Sequence, residues 1–183
     1  MKKTLLLLFA FLLLMPLSPR AEGDLRTRKE VFAFLKGGFE AQVSLSEQLR
    51  TKEEVKSLLN PYFSEMYQTM FWKENIVEEE GKFVTYGSDF ARYYIPFYQF
   101  SKQTKVVIDS EDIYVFEYFP ANTEGPVSYK GHYEGCVLKK IDGQWKVDQY
   151  LYKTPPASIL KKAKIKKKKR HFYSYLSFRP LFF

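Results

Sequence analysis

The chain has 183 residues, enough for one ordinary domain and too few for two. With 45% hydrophobic and 18% aromatic residues it is not a disordered chain. One Cys excludes a disulfide framework and a Cys-cluster metal site, and two His leave little for a His-based centre, so no metal or cofactor is expected.

The formal net charge of +8 is unevenly spread. Of 29 basic residues, three lie in the first 21 residues and ten run from Lys153 to the end. The stretch between holds 16, against all 21 acids. An acidic body argues against nucleic-acid binding, which only the tail could support.

Lys2 and Lys3 precede an unbroken apolar run from Leu5 to Leu14. That run suits a secretory leader and falls short of the roughly 20 residues of a membrane span. Pro16 and Pro19 break it, and cleavage after Ala21 gives a mature start at Glu22. The expected organisation is a signal peptide over 1–21, one domain over 22–153 and a tail over 154–183.

Residues 25–45 read as a helix, with Val31, Leu35 and Phe39 at i, i+4 and Phe32 and Val43 beside them. Gly37-Gly38 within it marks a kink or a close approach by another element. Thr51 with Glu54 forms a capping box for a second helix ending at Asn60. Pro61 suits the first position of a third helix, in which Phe63, Met66, Tyr67, Met70 and Phe71 form an apolar stripe expected in the core. Glu78-Glu79-Glu80-Gly81 reads as an acidic turn into a strand, Lys82 to Tyr86. Three consecutive carboxylates on an extended chain cannot converge on one ion.

Residues 87–101 are crowded with aromatics, among them Tyr93 and Tyr94, and Pro96 bars a central strand or helix interior. This segment is expected to plug the end of a sheet; the alternative is an aromatic wall of a ligand pocket. Strands follow at Lys105–Ile108, Asp112–Phe119, Tyr129–Ile141 (broken or bulged at Gly131 and Gly135) and Gln144–Tyr152, with Asp142-Gly143 as a two-residue hairpin turn. Alternation puts Trp145, Val147 and Leu151 near one face and Tyr150 and Tyr152 on the other. Helices first and four to five antiparallel strands after them mean an α+β domain, N-terminal helices packed on a sheet.

The ending CVLKKIDGQWKVDQYLY, Cys136 to Tyr152, resembles the last hairpin of NTF2-like, cone-shaped domains. The longer stretch from Lys52 to Tyr152, with NPYFSEMYQ, FVTYGSDF and YVFEYFPANTEGPVSYKGHYEG, resembles a family of small secreted Bacillus proteins of unknown function, the YhfM-like family. The resemblances imply a curved sheet of the NTF2-like or cystatin-like cone kind and a secreted Gram-positive domain. They carry over no catalytic residue.

No hydrolase, zincin, P-loop or dinucleotide motif is present. His132, Glu134 and Cys136 alternate on one strand face. His132 and Cys136 stand about 13 Å apart along a strand, too far for a Cys–His pair. His132 with Glu134, joined by Glu117 or Asp148 from neighbouring strands, is the acid–base candidate. Tyr93, Tyr94 and Asp148 are the candidate ligand contacts. His132 is otherwise expected to fill a strand position and titrate near the ordinary imidazole value.

In the tail, KKAKIKKKKR over 161–170 is followed by aromatic-rich sequence without an acid. Such a tail suits an anionic membrane lipid or cell-surface polymer. A second reading is that codons for Lys168-Lys169-Arg170 and Pro180-Leu181-Phe182 permit complementary DNA arms, as in a terminator, making the tail read-through or frameshifted sequence. The expected function is a secreted, non-catalytic binding or interaction module at the cell surface. The alternative is an NTF2-like enzyme or small-ligand binder with a pocket between sheet and helices.

Overall fold

A computed structural model describes residues 24–87, 92–109, 111–124 and 128–164. The expected leader and the tail beyond Lys164 lie outside the described residues. The chain runs α1 (Arg28–Ser44), α2 (Lys52–Leu59), α3 (Glu65–Asn75), β1 (Ile76–Glu79), β2 (Lys82–Thr85), β3 (Lys105–Ile108), β4 (Asp112–Phe119), β5 (His132–Ile141), β6 (Gln144–Leu151) and α4 (Ala157–Lys162). It is an α+β fold. β1 and β2 form one antiparallel hairpin, and β3-β4-β5-β6 form an open antiparallel meander with β3 and β6 at its edges.

The first two helices start on capping boxes. Thr27 and Glu30 close one and Thr51 and Glu54 the other, each satisfying two otherwise orphaned N–H groups. α1 passes unbroken through Gly37-Gly38. A Cβ on Gly38 would lie 2.9 Å from Ile95 Cδ1, and one on Gly37 would lie 2.7 Å from the Tyr62 hydroxyl. The pair is therefore a place of close approach. The buried face of α1 is Val31, Phe34, Leu35, Gly38, Ala41 and Gln42, and Val43 is exposed.

The third helix begins later than Pro61. Ser64 caps it, its hydroxyl accepting from Tyr67 N–H at 3.1 Å. The preceding residues pair with the sheet instead: Val147 N–H donates to Tyr62 O at 2.7 Å and Ser64 N–H to Val147 O at 3.0 Å. This loop satisfies part of the exposed β6 edge and fixes α3 beside it. The acidic turn is also shorter than expected. Ile76–Glu79 is a strand, and only Glu80-Gly81 turns, at φ 51° and 75°. Asp142-Gly143 turns likewise at φ 49° and 77°, the left-handed pair that a two-residue hairpin needs.

Two corrections concern the meander. β5 begins at His132, because Tyr129 is held in a bridge to Asn122. Gly135 is not a bulge. A Cβ there would sit 2.8 Å from Phe116 Cβ and against Val115 O, so the glycine permits close packing of β4 on β5. The bulge lies in β6, where Leu138 faces Val147, Val137 faces Gln149, and Asp148 is the extra residue. One extra residue reverses the alternation. Tyr150 thus joins Trp145 and Val147 on the helix-facing side, opposite Cys136, and not the other side as simple alternation predicts.

The main core lies between α1, α2, α3 and that inner sheet face. Leu35, Leu59, Phe63, Tyr67 and Phe71 meet Ile113, Val115, Cys136, Leu138 and Val147 there. The other face has its own cover. Ile159 and Leu160 of α4 pack on Val107 and Phe116, with Tyr114 and Tyr133 at the margin. Lys162 ties the helix to Asp109 at 2.6 Å. The body therefore extends past the expected boundary at Lys153. The isolated pair Ile159-Leu160 carries too little periodicity to announce a helix, and its apolar target on the sheet is visible only in three dimensions.

Candidate functional site

The polar cluster stands at the start of β5. His132 Nε2 lies 2.6 Å from Glu134 Oε1, and Tyr150 donates to Glu134 Oε2 at 3.2 Å. The other imidazole nitrogen, Nδ1, is 2.8 Å from Lys130 O. Both ring nitrogens thus face acceptors, and only the doubly protonated ring satisfies both. Burial pulls the imidazole down, but the bonds to Glu134 and the Lys130 carbonyl outweigh it, and the result is raised above the ordinary value. The ring is stacked near Phe119 and tilted against Tyr152, and Tyr129 meets it edge-on. While doubly protonated, a ring held this way has no lone pair to offer as a base and can act only as a donor.

Glu117 and Asp148 do not join the pair. Glu117 is opposite Glu134 in the β4–β5 register, but its carboxylate accepts from Thr104 Oγ1 at 2.7 Å and Gln99 N–H at 3.1 Å. It anchors the chain ahead of β3 to the sheet. Asp148 is paired with Lys139 at 3.3 Å. Cys136 is fully buried and its thiol is pushed up to about 12 by that burial, so it is an unreactive core side chain. Among the described residues no three His, Cys, Asp or Glu gather as a metal-binding group.

Next to the cluster a groove of about 460 Å3 opens between α3 and β6. Met66 and Met70 form one side, Tyr150, Tyr152 and Asp148 another, and Arg92 and Tyr93 the end. Met66 and Met70 are 48% and 38% exposed, so these members of the α3 stripe leave the core and line the groove. Of the expected ligand contacts, Tyr93 and Asp148 do line it. Tyr94 instead packs edge-on against Phe71 at 5.0 Å, with burial raising its phenol.

The segment carrying Arg92 and Tyr93 has no regular structure and is fixed by side chains. Gln42, wholly buried in α1, donates to Tyr93 O at 2.7 Å and accepts from Ile95 N–H at 2.8 Å. Asn75 donates to Arg92 O at 2.7 Å. Tyr93 is held at φ 65°, which costs a non-glycine residue about 1–2 kcal/mol. Beyond it Ile95 and Tyr98 are buried over the sheet, Tyr98 donating to Val115 O at 3.1 Å. The segment therefore plugs the core and walls the groove at once. Tyr67 lies with its ring 6.0 Å from that of Tyr93, and its buried hydroxyl has no hydrogen-bond partner among the described residues.

Arg92, Met66, Met70, Tyr150 and Tyr152 escaped the sequence reading. The methionines look like core by helical spacing, and the bulge that turns Tyr150 inward leaves no mark in the residue pattern. Of the groove residues, the sequence reading singled out Tyr93 and Asp148.

Residues 27–119 match a family described as protein of unknown function (DUF3993). The chain belongs to that family. A search of curated proteins finds no match to it. The matched residues include α3, Arg92, Tyr93 and Glu117, whereas His132, Glu134 and the β6 side of the groove lie beyond them.

Proposed function

We propose that the chain is a secreted, non-catalytic binding module of the Gram-positive cell surface that holds its ligand in the groove between α3 and β6. Export is inferred from the leader at 1–21. A ligand site between sheet and helices is what the resemblance to NTF2-like domains implies. The observation that carries the binding role is an open groove of thioether and phenol walls beside a polar cluster whose reactive atoms are already partnered. His132, Glu134 and Asp148 are all engaged within the protein. Met66 and Met70 supply adaptable apolar contact, and Tyr150 and Tyr152 supply flat, rigid contact. Arg92 pairs with no carboxylate among the described residues. The groove thus suits a flat, largely apolar group carrying a carboxylate. The enzyme alternative requires His132 to release its bonds to Glu134 and the Lys130 carbonyl.

In the mature chain Met66 and Met70 are the only methionines, so their methyl NMR signals report the groove directly. Phenylacetate should shift both signals saturably, 2-phenylethanol should bind more weakly, and Arg92→Gln should remove the difference. Methyl signals unmoved by either compound would sink the groove assignment. Chemical conversion of a bound compound that stops in His132→Gln would support the enzyme instead.

A further inference from the structure

Between α2 and α3 a second groove of about 580 Å3 is walled by Lys52, Lys56, Lys73 and Trp72. The body as a whole is acidic, and three of its lysines are paired with carboxylates: Lys139 with Asp148, Lys140 with Asp24, Lys162 with Asp109. Lys52, Lys56 and Lys73 take part in none of the ion pairs among the described residues. Lys52 and Lys56 are four residues apart on one helix face, a like-charge arrangement that works against the helix. Three unpaired ammonium groups around one groove form a site for negative charge. Between them Trp72 is half-buried. Its ring meets Phe83 at 4.9 Å, which holds it in place, and Lys52 Nζ stands 6.0 Å from its centroid.

The remaining lining is polar. Gln68 spends its amide N–H groups on Asn60 Oδ1 at 3.0 Å and Phe63 O at 2.9 Å. Its carbonyl oxygen and the Asn60 side-chain nitrogen make no other hydrogen bond among the described residues, and Glu65 also lines the groove. An anchored indole face, amide groups with hydrogen-bonding capacity left and a lysine cluster suit one ligand chemistry. The ring packs on the C–H face of a sugar, the amides take hydroxyls and the lysines take an acidic substituent. A membrane surface fits poorly, because the groove is rimmed by polar side chains with one aromatic among them. Nucleic acid fits poorly against an acidic body.

We propose that this groove binds a saccharide bearing a phosphate or carboxylate, with Trp72 under the ring and Lys52, Lys56 and Lys73 on the acidic group. The site is separate from the groove beside Tyr150, so either can fail alone. The full chain has two tryptophans, and their indole N–H signals provide a probe and a control in one spectrum. Glucose 6-phosphate, galacturonate, glucose and inorganic phosphate are titrated separately. One of the two acidic sugars should move the Trp72 signal and leave Trp145 still, binding about tenfold tighter than glucose or phosphate. Which of the two does so identifies the acidic group. The double variant Lys56→Gln/Lys73→Gln should lose that tenfold while its Trp145 signal stays at the native position. Inorganic phosphate binding as tightly as the sugars would reduce the site to a cationic patch and overturn the proposal. So would an unmoved Trp72 signal, or undiminished affinity in the double variant.

Discussion

His132 between Glu134 and the Lys130 carbonyl is the residue whose chemistry is most constrained by its neighbours. The free imidazole titrates near 6.5, and here its bonds to two acceptors raise that value despite partial burial. The sign follows directly. A cation whose folded pKa is raised lends stability that is fully present below about pH 6.5 and is lost as pH climbs through the folded value. NMR titration of the ring in a chain ended at Lys164, where it is the sole imidazole, should give a value above the ordinary one. Glu134→Gln should bring it back and flatten the loss of stability as pH rises above about 6.5. An unshifted ring would refute the pairing. Gln42 makes the second residue-scale prediction. Gln42→Ala leaves the Tyr93 carbonyl and the Ile95 N–H without partners, at about 1–3 kcal/mol for each buried group. Denaturant unfolding should show a loss of roughly 2–4 kcal/mol, because some water can reach the Tyr93 end. A loss under about 0.5 kcal/mol would mean the segment is held by packing alone.

At the scale of elements, α4 and the β6 bulge matter most. α4 has six residues and no side-chain cap, so it cannot persist alone and depends on burying Ile159 and Leu160. Leu160→Ala should cost about 2–5 kcal/mol, the range for a buried leucine. Ending the chain after Lys153 should lower the melting temperature by several degrees and expose Val107 and Phe116; unchanged melting would show that α4 is dispensable. Gly135 tests the meander. Gly135→Ala forces a methyl onto Phe116 and Val115 O, and overpacking of this kind costs about 1–3 kcal/mol. The bulge at Asp148 has a functional consequence, since it alone puts Tyr150 on the side of Glu134 and the groove.

For the molecule as a whole, stability rests on a sheet covered on both faces, with most of the buried surface on the α1–α3 side. Trp145 joins the strands to the segment ahead of α1. It is 8% exposed and its indole N–H donates to Asp24 at 3.1 Å. Trp145→Ala should cost about 3–5 kcal/mol in equilibrium unfolding, and a loss below about 1 kcal/mol would place little weight on that corner. Export belongs to the same scale. Protein recovered from culture medium should begin near Glu22, and an intact Met1 in the membrane fraction would defeat it.

Local chemistry was enough to specify several parts of this protein. Two capping boxes started two helices, Asp142-Gly143 closed the last hairpin, and period-two runs gave the strands of the meander, because caps, turns and alternation act over a few residues. His132 and Glu134 were brought together by strand alternation alone. The tertiary structure decided the rest. Pairing of Tyr62–Ser64 with β6 delayed α3 to Ser64, since an exposed sheet edge competes for backbone groups. Glu117 was taken by Thr104 and Gln99, and Asp148 by Lys139, partners distant in sequence. Met66 and Met70 became groove walls, since helical spacing records a face but not what covers it. The groove itself is the meeting of α3, a bulged strand and a left-handed Tyr93 held by Gln42, three elements whose contact depends on long-range packing that no local pattern encodes.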